Sequence, residues 1–293
     1  MARRSILQSG PSTKADTAYE AISLKRPTEF VAHVELNRPE KRNALSPVLW
    51  REIGEVFAAL DEDEDCRVVL LSGAGRAFCA GLDFSGMAEL AGVTTNEELD
   101  VARKFKLMRR IIQQAQAPFT QIEKCQKPVI GLVHGACVGA GLGILTACDI
   151  RYAAIDSVFS IREVELGIAA DVGTLQRMPK QVGTDSLLRE LAYTARDFYV
   201  DEARSMGLVS RTFASKEEGL AAALALAGVI AAKSPVAVQG SKVNLNYARD
   251  HGVDEALAYQ AVWNAGNLQS QDTQTAAMAV ASRQKEAPTF AKL

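Results

Sequence analysis

Two carboxylates, Glu163 and Asp171, stand eight residues apart in REVELGIAADVGTLQRMP, the segment from Arg162 to Pro179. Gly167 lies between them, and Ile168, Ala169 and Ala170 surround Asp171 with small or apolar side chains. Apolar neighbours disfavour the ionised form and raise a carboxyl pKa towards the working range of a general acid or base. Two such acids in one pocket can take a proton from one carbon of an acyl compound and deliver one to another. The competing reading is a pair of surface acids neutralised by Arg162, Arg151 or Arg177.

Two glycine turns offer a complementary group. Ala80-Gly81-Leu82-Asp83 and Gly139-Ala140-Gly141 each follow an apolar strand pattern, and the second leads directly into a helix. Small residues let a ligand approach the backbone, and amides at a helix start point outward as donors. One amide from each turn, together, can hold a carbonyl oxygen and stabilise it as an enolate. Tight turning and helix–sheet packing are the other uses of such glycines. No GxGxxG stands at the first beta-alpha turn with an acid at the right distance, which excludes the dinucleotide fingerprint.

The elements that must position these groups are legible from periodicity. Phe30 to Leu36 alternates as a half-buried strand, with Phe30, Ala32, Val34 and Leu36 on one face. The loop NRPEKRNALSP follows, with Ser46 as N-cap and Pro47 at the first helical position. Leu49, Ile53, Val56, Phe57 and Leu60 then form a helical stripe. Asp61 to Asp65 is an acidic connector, and Val68 to Leu71 reads as a strand buried on both faces of a parallel sheet. The turn SGAGRAFCAGLDFSGM leads on to a helix with Val101, Phe105, Met108 and Ile112 in register. Lys127-Pro128 then opens the strand Val129 to Val133.

Strands and helices alternate to about Phe213, predicting an α/β fold with a mostly parallel sheet. From Glu217 onward the pattern is helical: an alanine-rich helix to Ala232, one capped by Ser234-Pro235, one from Val253 and one from Asp272.

Composition narrows the function classes. The 293 residues are 48% hydrophobic and 23% charged, with a net charge of −2, so no global positive field points to nucleic acid or an anionic membrane. No apolar run approaches the ~20 residues of a bilayer span. The five cysteines, Cys66, Cys79, Cys125, Cys137 and Cys148, lack CxxC spacing and read as reduced thiols. The three histidines, His33, His134 and His251, are far apart, arguing against a histidine metal site or a Ser-His-Asp triad. Residues 1–18 read as a flexible tail. Ala291-Lys292-Leu293 resembles the Ser-Lys-Leu peroxisomal address, which an import receptor reads and which must be exposed.

The segments NRPEKRNAL, SGAGRAFCAGLDFSGM, KPVIGLVHGACVGAGLGILTACDIRY and LGIAADVGTLQRMP together resemble the crotonase (enoyl-CoA hydratase/isomerase) superfamily. EVELGIAADVGTLQRMPK, DEARSMGLVSRTF and KSPVAVQGSKVNLNYARDH are similar to its delta-3,5-delta-2,4-dienoyl-CoA isomerase branch. The likeness runs from about Tyr19 to the C-terminus. It implies a spiral of ββα units over residues 19–213, then a helical trimerisation region over 214–290. It also implies an acyl-CoA substrate, no metal or organic cofactor, and a homo-oligomer, either a trimer or a dimer of trimers.

The same resemblance assigns roles. The amides of Leu82 and of Ala140 or Gly141 become the oxyanion hole for the thioester. Glu163 becomes the acid–base group at carbon 2, and Asp171 the acid that serves carbon 6, with the reverse assignment open. Lys41 and Arg42 become contacts to CoA, with Lys242 a weaker candidate. Ala80, Gly81 and Asp83 belong to the substrate-binding turn, the last two as its supports.

One position departs from the pattern: Gly143 stands where the resemblance predicts an acid, and glycine cannot activate water. Asp149, in the CDIRY motif, reads as a packing residue and not its substitute. The function implied is isomerisation of 3,5-dienoyl-CoA to 2,4-dienoyl-CoA in β-oxidation of unsaturated fatty acids, in a peroxisome-like organelle or a bacterial cytoplasm. The alternatives are a delta-3-delta-2-enoyl-CoA isomerase, a hydratase, and a silent acyl-CoA-binding paralogue.

Overall fold

The computed structural model describes residues 19–83, 92–283 and 287–293. The predicted tail, residues 1–18, and the end of the second motif, Phe84 to Met87, lie outside the described residues. In chain order the first half comprises β1 (Ile22–Thr28), β2 (Val31–Leu36), α1 (Pro47–Asp61), β3 (Val68–Gly73), α2 (Val101–Lys124), β4 (Val129–Val133), β5 (Ala136–Val138) and α3 (Ala140–Thr146). Then follow β6 (Ile150–Ala154), β7 (Val158–Ser160), α4 (Thr174–Arg177), α5 (Asp185–Thr194), β8 (Phe198–Tyr199), α6 (Val200–Ser205) and β9 (Arg211–Phe213). Four helices end the chain: α7 (Lys216–Ala231), α8 (Pro235–Asp250), α9 (Val253–Asn267) and α10 (Gln271–Ala281).

The main sheet has the order β1-β2-β3-β4-β6-β9 and is parallel throughout except for the β1–β2 pair. The expected half-buried strand at Phe30 differs in two ways. It starts at Val31, because Phe30 takes a left-handed turn (φ 60°) under the Arg67 guanidinium. It is also buried on both faces. Ala32, Val34 and Leu36 pack in the larger core with the α1 stripe. Val31, Val68, Leu70, Ile130 and Leu132 pack on the other face against Ala223, Ala227 and Ala231 of α7. Small residues let α7 lie close: a Cβ on Gly219 would come within 2.7 Å of Leu132.

Ser46 caps α1 as its sequence predicts, its hydroxyl accepting from the Leu49 amide. The strand β1 escaped prediction. It is an edge strand with Ile22 alone buried, carrying Lys25, Arg26 and Pro27, residues that an edge tolerates and that hide the alternation.

The stripe expected on α2 is not a core face: Val101 and Phe105 are 84% and 67% exposed, and the buried residues are Phe119 and Ile122 near the other end. The C-terminal helices match their caps, with Ser234 accepting from the Ala237 amide and Ser270 from Thr273. Leu245, Val253, Leu257, Val262, Met278 and Val280 on α8, α9 and α10 are exposed, as is Leu268 just past α9. Among the described residues no single helix is long and apolar enough to cross a membrane. The last residues lie along the core, where Arg67 donates to the carbonyls of Phe290 and Ala291 and Lys292 pairs with Asp65, leaving the terminal side chains exposed.

Candidate active site

The site is assembled by a second, three-stranded sheet, β5-β7-β8, that periodicity does not register because its strands have two or three residues each. The chain leaves β4 through His134 and Gly135, whose φ of 54° and close approach to the Arg76 carbonyl exclude any side chain. It then enters β5, which runs parallel to β7 with Val138 opposite Ser160. The residues just beyond the two carboxyl ends therefore emerge side by side. On one strand they are Gly139, Ala140 and Gly141; on the other, Ile161, Arg162 and Glu163. The Gly139 amide donates to the Ser160 carbonyl, and a Cβ at Gly139 would lie 3.5 Å from Glu163 Oε1.

The second turn abuts the first. The backbones of Cys79 and Cys137 pair as an isolated parallel β-bridge, and a Cβ on Gly141 would sit 2.8 Å from the Cys79 carbonyl oxygen. Gly81, at φ 94°, approaches the Val138 carbonyl in the same way. Leu82 bridges Leu45: the Leu45 amide donates to Gly81, and the Asp83 amide to Leu45. Peptide groups alternate along an extended strand, so the Leu82 amide faces away from Leu45. The amides of Ala140 and Gly141, at the first turn of α3, have no intrahelical acceptor. The two turns thus lie against each other, with Gly139 beside Glu163.

Both acids are sheltered. Glu163 is buried, and its Oε2 has no hydrogen-bond partner. Burial raises its carboxyl above the ordinary glutamate range; its own amide and that of Arg162 oppose this, and the nearby Asp171 charge adds to it. Burial likewise raises Asp171, whose carboxyl is half-buried. The arginines proposed as neutralising partners are engaged elsewhere. Arg162 pairs with Asp197 and Glu165, Arg177 with Glu123, and Arg151 donates to the carbonyls of Leu208 and Cys148. The acids are therefore not ordinary surface ion pairs.

A buried, raised carboxyl costs stability once it ionises. The wild-type fold should lose stability as pH rises from the ordinary glutamate range through the elevated value of Glu163, whereas Glu163→Gln should not. The variant is expected to melt on the order of 2–4 °C higher at pH 8, for a difference of about 1 kcal/mol, with the gap closing towards pH 4. Melting curves across that range check it; a gap that stays constant or reverses contradicts the burial argument.

Residues 26–290 match the family model described as enoyl-CoA hydratase/isomerase. The chain is 49% identical over 284 residues to the mitochondrial delta(3,5)-delta(2,4)-dienoyl-CoA isomerase of Rattus norvegicus, covering 97% of this chain and 86% of that one. It is 43% identical over 278 residues to the peroxisomal protein of that name from Arabidopsis thaliana, covering 94% and 99%. The crystal structure of an enoyl-CoA hydratase from Bacillus anthracis superposes with a TM-score of 0.82 at 28% identity, covering 93% and 99%. The chain belongs to the enoyl-CoA hydratase/isomerase family.

Within this crotonase fold the remaining candidates fall into two groups. Lys41 and Arg42 are exposed on a short 3-10 turn, Pro39–Lys41, and the Arg42 carbonyl accepts from the Ala80 amide, which ties their loop to the Leu82 turn. Asp83 pairs with Arg38 at 3.0 Å and braces that turn. Lys242, by contrast, is buried against Asp149 at 2.7 Å and donates to the Lys127 carbonyl. Asp149 also accepts from the Val129 amide, so this pair fastens α8 to the sheet. A cavity of about 720 Å³ beside Lys242 is lined by Thr146, Gln181 and Arg249 and contains neither Glu163 nor Asp171.

Sequence reasoning missed two supports. Asn43 is fully buried at φ 55° and bonds the Arg38 amide and the carbonyls of Ala74 and Ala77, clamping the Lys41 loop to the Leu82 turn. Gln116 on α2 donates to the Asp171 carbonyl at 2.7 Å. The left-handed preference of asparagine was the available signal for the first; nothing in the sequence marks the second.

His33 bonds Ser72, and His134 bonds the Gly75 carbonyl; burial holds both imidazoles below their ordinary range. All five cysteines are buried and free, with Cys79 pushed up to about 12 by burial.

Proposed function

We propose that the protein isomerises 3,5-dienoyl-CoA to 2,4-dienoyl-CoA. The observation that carries this reading is a pair of desolvated carboxyls, Glu163 and Asp171, near each other and without arginine partners, with Glu163 against the Gly139 turn. The names of the relatives above support the same substrate class. The thioester oxygen accepts from the amides of the Leu82 and Ala140/Gly141 turns, which stabilise it as it gains negative charge. Glu163, ionised, takes a proton from carbon 2, and the charge spreads along the diene as a dienolate. Asp171, whose carboxyl is raised above its ordinary range by burial, delivers a proton to carbon 6. The double bonds move from 3,5 to 2,4, one proton is taken and one given, and no metal or organic cofactor enters the route. Lys41 and Arg42 meet the anionic nucleotide of CoA, with Ala80 and Gly81 shaping the turn beneath the thioester.

The test is ultraviolet absorbance with purified protein and a 3,5-dienoyl-CoA. Growth of the chromophore conjugated to the thioester is the expected result. No growth, with CoA binding intact, would replace this reading with an acyl-CoA-binding protein.

We further propose a homo-oligomer built through α8, α9 and α10. It would cover the exposed side chains of Leu257, Val262 and their neighbours. Sedimentation should give a trimer or hexamer, and Val262→Asp with Leu257→Asp should shift the mass towards the monomer. A wild-type chain that sediments as a monomer contradicts the assembly.

A further inference from the structure

Gly143 lies on α3 one turn beyond Ala140, and all of α3 is buried. The absence of a side chain there leaves no gap. A Cβ on Gly143 would lie 3.3 Å from Phe119 Cε2, 3.3 Å from Val172 Cγ2 and 3.4 Å from Phe119 Cδ2. These distances are tighter than ordinary van der Waals contact, so both neighbours would have to move to admit even a methyl group.

Phe119 has little freedom to move. Its ring is fully buried and stacks on Trp50 at 5.0 Å, and the Trp50 indole donates to the Ala115 carbonyl. Val172 is the residue after Asp171 and is buried too. Its carbonyl accepts from Arg177, while the Asp171 carbonyl accepts from Gln116. Displacement of Val172 is therefore passed to the backbone that presents Asp171.

We propose that Gly143, Phe119 and Val172 form a steric clamp that positions Asp171 and occupies the volume a third acid would need. The site is then committed to two carboxylates by packing, and not only by the loss of an acidic side chain at residue 143. Phe119 and Val172 are positioning residues in this scheme, acting through Asp171. The proposal rests on the isomerase reading above.

The experiment compares wild type, Gly143→Ala, Gly143→Asp and each of these combined with Phe119→Leu, using 3,5-dienoyl-CoA turnover from pH 5 to 9 and melting temperature. Leucine lacks the ring edge, including the Cε2 that meets residue 143. Gly143→Asp is expected to lower kcat by about 100-fold, the scale of a misplaced catalytic group. It should also displace the limb of the pH profile that reports Asp171. Gly143→Ala should lower kcat less, with KM little changed.

Phe119→Leu should return each double variant to within about 10-fold of wild type, a rescue that a purely electrostatic effect of the new carboxylate would not give. Turnover of Gly143→Asp at the wild-type rate overturns the clamp, as does a folded double variant no faster than its single parent. If Gly143→Asp does not fold, the alanine pair decides by the same criterion. An inactive wild type would refute the isomerase reading instead, which keeps the two failures distinct.

Discussion

Glu163→Gln is expected to lower kcat for a 3,5-dienoyl-CoA by about 10³- to 10⁴-fold, the upper part of the range for general acid–base groups. That corresponds to roughly 4–5.5 kcal/mol of barrier. Glutamine keeps the shape of the side chain but cannot accept the proton at carbon 2. In the proposed function the thioester is held by backbone amides and the nucleotide by the Lys41 loop, so KM should change little. Stopped-flow absorbance at saturating substrate measures both. An equal rise in KM would mean that Glu163 binds substrate and does not act on it.

Asp171→Asn is the second large effect. An amide in place of the carboxyl has no proton to give to carbon 6, so conversion of the dienoyl substrate should fall by about 10²- to 10³-fold. The basic limb of the pH profile, which reports deprotonation of the acid, should disappear with Asp171. A 3-enoyl-CoA, in which one carboxylate can carry the proton from carbon 2 to carbon 4, should retain most of its turnover. Equal loss on both substrates would remove the distinction between the two acids.

Much of this architecture is written in local sequence. The Ser46-Pro47 cap and the Leu49 to Leu60 stripe specify α1, and the run from Val68 specifies a strand covered on both sides. The cap at Ser234 marks a helix that the sequence pattern also marks, whereas Ser270, the cap of α10, was not read from sequence. What could not be read depends on tertiary partners. Phe30 to Leu36 looks half-buried until α7 covers its second face with Ala223, Ala227 and Ala231. The α2 stripe looks like a core face, yet the core meets that helix at Phe119 and Ile122.

The acids themselves were legible from their apolar neighbours. Their company was not, because it depends on the parallel pairing of β5 with β7, strands of three residues each. Lys242 shows the limit of charge reasoning: a lysine near a motif for an anionic ligand is instead buried against Asp149. Gly143 was legible as a missing acid, but the ring and methyl groups filling its place belong to residues 24 positions before it and 29 after it.

The central claim is that one carboxyl takes the proton and another gives it. The direct measurement is the first turnover of a 3,5-dienoyl-CoA by wild-type protein equilibrated in D2O, with the label located in the product by NMR. Asp171 begins the cycle carrying a solvent proton, while Glu163 receives the proton from the substrate. The 2,4-dienoyl-CoA should therefore carry one deuterium at carbon 6. A product formed in D2O with only protium at carbon 6 would mean that a single group carried the substrate's own proton across, and would contradict the account.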